Sequence, residues 1–339
     1  MSPLPRVSAV IVAYGPDPWL GRSVQAVLDS AGVEADVVVV DNGGTQGAVD
    51  ALEGDRVTVV RPGDNVGFAR GCNLGVAAST APLVALVNPD AIVEPDALAE
   101  LAVVAQRPEV ALATASVRLA DRPDRLNSAG NDIHFLGVSW SGRFDEPAAD
   151  HDRQEPVTAA SGAGLMARRQ VWDALGGLAD ELFAYYEDAD LSLRAWQRGW
   201  EVVFVPTAVV VHRYEFSRNP VKFRLLERNR LTMVLTEFGP RHLAVVAPAL
   251  VVLELGMIAY AATDGWLGAK LGAYGWLWRH RRWLVERRRA NQAARTVPER
   301  DLTWLFADHL QPGNLPPPQA LVPLDRVLRA YWHLVRRLI

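Results

Sequence analysis

Short apolar runs alternate with amphipathic stretches from the start of this chain, a pattern that builds βα units and a largely parallel sheet. Residues 7–13 form the first such run and predict a strand. Asp17 stands where it caps a helix beginning at Pro18, with Leu20, Val24, Val27 and Leu28 on one face. Residues 36–40 predict a second strand that stops at Asp41-Asn42-Gly43-Gly44, and residues 57–60 a third, followed by a helix through Asn73 and Ala77. A fourth strand, 83–87, runs into Asn88-Pro89-Asp90, and a fifth, 110–117, follows a helix starting near Pro95. Polar residues therefore gather after strands one, two and four, at the edge where open α/β sheets take ligands.

Periodicity fades over residues 118–156, which are rich in Asp, Gly, Ser and Pro and predict a long loop region. Order returns at 159–166 and continues through a helix, Gly176-Gly177 and the segment Phe183-Ala-Tyr-Tyr-Glu-Asp-Ala-Asp190. A helix to Gly199 comes next, then a strand over 202–205 and a valine run ending at His212.

The 339 residues are 50% hydrophobic and 22% charged, enough for one large core or two smaller ones. A formal net charge of -4 argues against nucleic acid as a partner, since neutralising phosphates takes a clear surplus of Lys and Arg. The single cysteine, Cys72, permits no internal disulfide and fits a reducing compartment. The first residues lack the order of charge, apolar run and cleavage site of a signal peptide, so the first domain is expected to fold in the cytoplasm.

Asp90 ends a strand, where its carboxylate faces the ligand crevice and suits a hard divalent cation, Mg²⁺ or Mn²⁺, shared with a diphosphate; a plain strand-ending turn is the alternative. Asp41 is placed to accept from a nucleobase or ribose, or to open an Asx-turn. Glu187, Asp188 and Asp190 crowd three carboxylates beside Tyr185 and Tyr186. Such crowding raises pKa values and suits a general base, although acids at a helix start also complement its dipole. His212, at another strand end, is a candidate for metal or diphosphate.

These pieces occur in a telling order: Ala13-Tyr14, Asp41-Asn42-Gly, Asn65-Val-Gly67-Phe68 through Asn73, Asn88-Pro89-Asp90, Ser161-Gly-Ala, Gly176-Gly-Leu and Tyr186-Glu187-Asp188-Ala-Asp190-Leu. Together they resemble glycosyltransferase family 2 over about residues 6–240, and more narrowly its rhamnosyltransferase-like bacterial members that build cell-wall and surface polysaccharides. The resemblance implies a GT-A fold and an inverting transfer from a nucleotide-sugar donor, dTDP-rhamnose-like or UDP-linked, to a glycan or polyprenyl-linked acceptor. It implies that Asp41 contacts the base and that Ala13, Tyr14, Asn42, Asn65, Gly67, Phe68, Asn73 and Asn88 line the donor pocket. Asp90 and His212 then hold the cation, and Asp188 is the base, with Asp190 the second choice and Glu187 beside them. Where the family usually has two aspartates around one residue, this chain has Asn88-Pro89-Asp90, so the first ligand is neutral.

The expected catalytic domain covers 1–240 and a helical, basic, tryptophan-rich region 241–339. Residues 243–262 are apolar over about the length of a bilayer core, interrupted by Pro248 and Glu254. Lys270, Arg279, Arg281, Arg282, Arg287, Arg288, Arg289 and Arg295 then face only Glu286, interleaved with Trp266, Trp276, Trp278 and Trp283. That mixture predicts attachment to the cytoplasmic face of a membrane, peripheral or by a single span. A proline-rich connector at 312–319 precedes a last helix whose apolar stripe is Leu324, Val327, Leu328, Tyr331, Leu334, Val335 and Leu338.

Two other readings are open. A nucleotidyltransferase making sugar nucleotides would carry a glycine-rich basic loop after strand one, where Tyr14-Gly-Pro-Asp-Pro has one glycine and no lysine. A non-catalytic scaffold would keep the fold and lose turnover.

Overall fold

The computed structural model describes residues 3–213, 220–311, 313 and 322–339. By its internal contacts the chain divides into two units: residues 1–131, 141–195 and 200–215, and residues 132–140, 196–199 and 216–339.

The first unit is a sheet flanked by helices. Its strands are β1 (Arg6–Ala13), β2 (Glu34–Asp41), β3 (Val57–Val60), β4 (Leu83–Val87), β5 (Ala91–Val93), β6 (Val110–Leu119) and β7 (Arg122–Ser128). After β8 (Asn131–His134) and β9 (Ser139–Ser141), it continues with β10 (Glu155–Pro156), β11 (Gly164–Arg168) and β12 (Glu201–His212). The order across the sheet is β10-β12-β6-β11-β4-β1-β2-β3, with β5 on β12 and β7 on β6. Strands β1 to β4 are parallel neighbours, β11 runs against both β4 and β6, and β12 is parallel to β6. The ends of β1, β2, β4, β6 and β12 and the start of β11 therefore share one edge.

Helices α1 (Leu20–Leu28), α2 (Gly67–Ala78), α3 (Ala97–Ala105), α4 (Arg169–Leu175) and α5 (Glu187–Gln197) complete this part of the chain. Val37 to Val40 are all buried, as strands covered on both faces must be. Helix α2 lies so close to the sheet that a Cβ on Gly75 would come within 2.3 Å of Val10, which explains a glycine in the middle of a helix.

Residues 118–156 are not a long loop: β6 reaches Leu119, and β7 pairs back onto it antiparallel. The outer half of β7 is exposed, so its polar side chains carry no apolar alternation to betray a strand. Likewise the two valine runs before His212 are one strand, with an irregularity between Val205 and Val209.

The second unit contains α6 (Pro220–Glu237), α7 (Pro240–Thr263), α8 (Leu267–Arg279), α9 (Arg281–Ala294), α10 (Val322–Val335) and a small sheet, ordered β13 (Phe306–Ala307), β8, β9. The contact division places α6 here, although the family likeness runs through it. Trp332 is fully buried and stacks on Phe135 at 4.8 Å between ring centres. Much of the basic, aromatic stretch turns inward. Lys270, Trp266 and Trp276 are buried, Arg228 sits over the Trp276 ring, and Arg295 and Arg288 donate to main-chain carbonyls at the end of α6. Those cations are structural rather than available to phosphates. In the last helix Leu328 and Trp332 are buried, while Val327 and Leu334 of the expected stripe, and Leu338 in the turn after it, are exposed; the Leu324 side chain lies outside the described residues. The connector at 312–319 lies outside the described residues apart from residue 313.

Glu254 is tied into a buried polar cluster. It accepts from Lys270 at 2.8 Å and from the Tyr274 hydroxyl, and pairs with Arg230, which also holds Glu227 at 2.9 Å. Burial alone would push the Glu254 carboxyl up, but Arg230, Lys270 and Tyr274 together hold it at about 2.

Candidate active site

The loops leaving β1 and β2 are stitched together. Ala13 pairs with Asp41, Asn42 N–H donates to the Ala13 carbonyl at 2.8 Å, and Gly15 N–H donates to Gly43 at 2.8 Å. Asp41 Oδ1 accepts from Gly43 N–H at 3.2 Å and from the Thr45 hydroxyl at 3.0 Å, the Asx-turn expected of that residue type. Tyr14 is exposed beside it. The buried Asn42 side chain donates to Asn65 Oδ1 at 2.9 Å and accepts from Val66 N–H at 2.8 Å. Asn65 Oδ1 also accepts from Gly67 N–H at 3.0 Å, so the two asparagines fix the start of α2.

That start receives the acidic segment. Gly67 has φ +85°, and a Cβ there would lie 2.5 Å from the Phe183 ring and 2.6 Å from its carbonyl oxygen. Ala69 N–H donates to the same carbonyl at 3.0 Å. Phe183, Tyr185 and Tyr186 all have positive φ, between 66° and 71°, a strained backbone for aromatic residues. The strain delivers Glu187 and Asp188 to the first turn of α5.

Asp188 is held by three donors. Gly162 N–H and the Asn131 amide each donate to Oδ2 at 3.0 Å, and Ala189 N–H donates to Oδ1 at 2.7 Å. Phe68 closes over the same glycine, since a Cβ on Gly162 would meet its ring at 3.5 Å and Asp188 Oδ2 at 3.6 Å. Burial raises the Asp188 carboxyl, and these hydrogen bonds oppose the rise. Glu187 is buried, and its Oε2 has no hydrogen-bond partner. Burial, with the Asp188 charge adding to it, pushes Glu187 up to about 8. The hydrogen-bond donors gather on Asp188 and none reaches Glu187 Oε2, an arrangement that favours negative charge on Asp188.

The turn after β4 meets the end of β12. His212 Nε2 lies 3.2 Å from Asp90 Oδ1 and 3.3 Å from Asn88 Nδ2, and its Nδ1 is 2.9 Å from Asn127 Oδ1. The amide oxygen of Asn127 accepts, so the ring proton belongs on Nδ1 and the Nε2 lone pair faces Asp90. A lone pair beside a carboxylate at that distance suits a shared hard cation. The pair fits such an ion, and among the described residues no group of three or more His, Cys, Asp or Glu gathers to complete a protein-only cage.

These two centres are neighbours. Asn88 N–H donates to the Ala163 carbonyl at 3.4 Å, one residue from the glycine that holds Asp188. Asn88, Asp90, His212 and Asp188 thus share the edge predicted from the strand ends.

Two candidates are directed elsewhere. Asp190 is fully buried and pairs with Arg194 at 2.9 Å, and Arg194 donates on to the Leu175 and Gly177 carbonyls. Asn73 donates to the Leu178 carbonyl at 2.8 Å and accepts from Leu178 N–H at 3.0 Å, bracing the Gly177 turn rather than lining a pocket. Asn127 and Asn131 were missed, because both lie in the segment that lacks an apolar pattern.

The site is thus the edge of a mostly parallel sheet, with one acidic group beside a histidine and another beside a second buried carboxyl. The sequence pattern of the family described as "Glycosyltransferase like family 2" matches residues 5–234, and the chain belongs to that family. A Mycobacterium tuberculosis N-acetylglucosaminyl-diphospho-decaprenol L-rhamnosyltransferase is 29% identical over 233 residues, covering 61% of this chain and 76% of that protein. An uncharacterized Sinorhizobium fredii protein, y4gI, is 30% identical over 198 residues; the match covers 54% of this chain but only 22% of that longer protein. Among solved structures, the Pyrobaculum calidifontis mannosyltransferase with GDP-Man and Mn²⁺ superposes with a TM-score of 0.52 at 17% identity, covering 99% of this chain and 87% of that one. GalNAc-T7 with UDP, GalNAc and Mn²⁺ gives 0.57 at 16% identity, over 70% of this chain and 48% of that one.

Proposed function

We propose that the protein transfers a sugar, with inversion, from a nucleoside-diphosphate sugar to a hydroxyl of a lipid-linked glycan acceptor in cell-wall or surface polysaccharide synthesis. The observation that carries this reading is the adjacency of the Asp90–His212 pair to Asp188 through Asn88, Ala163 and Gly162. The tuberculosis relative, whose name specifies L-rhamnosyl transfer to a diphospho-decaprenol acceptor, favours a rhamnosyl donor and a polyprenyl-linked acceptor.

In this mechanism Asp41, with Ala13 and Tyr14 alongside, takes the nucleoside, and the Asn42–Asn65 brace keeps the start of α2 open to the donor. Asp90 and His212 would hold a divalent cation, Mg²⁺ or Mn²⁺, which would supply positive charge for the departing β-phosphate. Asp188, ionised and fixed by Gly162 and Asn131, accepts the proton of the acceptor hydroxyl as that oxygen attacks the anomeric carbon. The new carbon–oxygen bond forms as the bond to the diphosphate breaks, so the configuration inverts. Glu187 keeps its own proton and so does not compete for that of the acceptor.

The test is a thermal-shift screen of nucleotide sugars with and without Mn²⁺, followed by transfer to a polyprenyl-diphospho-sugar and assignment of the product anomer by NMR. A donor that raises Tm only with the ion, and an inverted product, support the reading. Failure of every nucleoside diphosphate to shift Tm overturns it.

A further inference from the structure

Helix α7 is the one described helix long and apolar enough to cross a membrane, with a mean hydropathy of 2.2 over its best window, of which only 11% is buried. Its two sides differ sharply. His242, Val246, Ala249 and Ala261 are buried, Glu254 lies on the same side, and the other side exposes Val251, Val252 and Leu255 at 58%, 51% and 63%. From residue 244 to 262 every exposed position of α7 is uncharged.

The inward side settles how such a helix meets lipid. Arg230 on α6 and Lys270 on α8 both bind Glu254, near the middle of α7, and Lys270 also binds Glu227 of α6. Helix α6 carries Lys222, Arg224, Glu227, Arg228 and Arg230 within three turns. If α7 crossed the bilayer, either α6 would follow it into hydrocarbon or Glu254 would lose both cations; each is heavily unfavourable.

The outward side meets no such obstacle. On α8, the helix that follows and contacts α7, Trp278 is exposed at 70%, with the Arg281 guanidinium 4.8 Å from its ring centre. Arg279, Arg281, Arg282 and Arg289 are all exposed, against the lone exposed acid Glu286 of α9, in a chain whose net charge is -4. Helix α10, joined to α7 by the Tyr331 hydroxyl on the Val245 carbonyl, adds exposed Leu334, and the turn after it exposed Leu338. A second copy seated on these helices would bring two sets of exposed arginines together, whereas anionic headgroups would neutralise them.

We infer that α7 does not span but lies flat in one leaflet of an anionic membrane, its Val251–Leu255 face among the acyl chains and the Trp278–Arg281 corner at the headgroups. This deepens the membrane part of the proposed function and is independent of the sugar chemistry, because it concerns lipid alone.

The test uses the full chain and sealed phosphatidylcholine vesicles with or without phosphatidylglycerol. Co-sedimentation should favour the anionic vesicles by at least about tenfold, and salt should weaken it. The double variant V251E/L255E, changed only at exposed positions, should lose vesicle binding by at least about tenfold while its melting temperature and its response to nucleotide stay those of the parent. Cysteines introduced as R241C and D264C, at the two ends of α7, should both react with an impermeant maleimide added outside; Cys72 is buried. Protection of one end would establish a span and overturn the inference. So would vesicle binding that V251E/L255E leaves intact, or a parent dimer that the double variant dissociates without any binding to lipid.

Discussion

His212 Nε2 lies 3.2 Å from Asp90 Oδ1, although the two residues are 122 positions apart. The contact exists because β5, immediately after Asp90, pairs antiparallel with the end of β12, setting Ala91 opposite His212.

Asn127 orients that histidine from behind. Asn127→Leu should weaken Mn²⁺ binding by about 10–100-fold, the usual cost of removing the partner that orients a metal-bound histidine. Asp90→Asn should do at least as much. Manganese EPR titration in the presence of a nucleoside diphosphate measures both, and Asn127→Asp, which keeps an acceptor for Nδ1–H, should restore part of the affinity.

Asp188 and Asp190 should fail in different ways. Asp188→Asn should lower kcat by about 10²–10⁴-fold with donor binding retained, the range for losing a general base. Asp190→Asn leaves the buried Arg194 without its carboxylate and should cost stability on the order of 3–5 kcal/mol. Single-turnover kinetics and a denaturant melt separate the two.

Glu187 makes stability depend on pH in an unusual direction for a carboxylate. Its folded-state pKa is raised, so its contribution is fully present below the ordinary value near 4.5 and is lost as pH rises towards and through about 8. Glu187→Gln removes the ionisation. Its Tm should match the parent in mild acid and exceed it by a few degrees in mild alkali; parallel curves across that window would contradict the assignment of the proton to Glu187.

Gly67→Ala should be far worse than an ordinary glycine substitution. The new methyl would meet both the ring and the carbonyl of Phe183, at a residue with φ +85°. A loss of more than about 1 kcal/mol is expected from the conformation alone, before the clash is counted. Because the Phe183 turn delivers Asp188, kcat should fall even where the variant stays folded, which urea melts and transfer assays on the same sample would show.

Several elements were legible in the chain. The strands Val57–Val60 and Leu83–Val87 have the predicted limits: Leu83–Val87 is an unbroken apolar run buried throughout, and Val57–Val60 is a β-branched run at the edge of the sheet. The acids at 41, 90 and 188 stood out because each ends a strand or begins a helix. The β7 strand did not, since half of it faces water and it depends on β6 for its pairing. The inward roles of Asn73, Asp190 and Lys270 were equally hidden: an amide, a carboxylate or an ammonium looks the same in a sequence whether it meets solvent or a partner.

Local pattern thus fixed the apolar strands and amphipathic helices of the sheet and the edge where polar residues gather, because periodicity and strand ends are properties of neighbouring residues. The capture of Asp190 by Arg194, the contact of Asp90 with His212 and of Asn127 behind that ring, and the capture of Glu254 by Arg230 and Lys270 came from folding alone. Each depends on which donor arrives within hydrogen-bond reach, and that distance is set by the packing of whole elements and not by spacing along the chain alone.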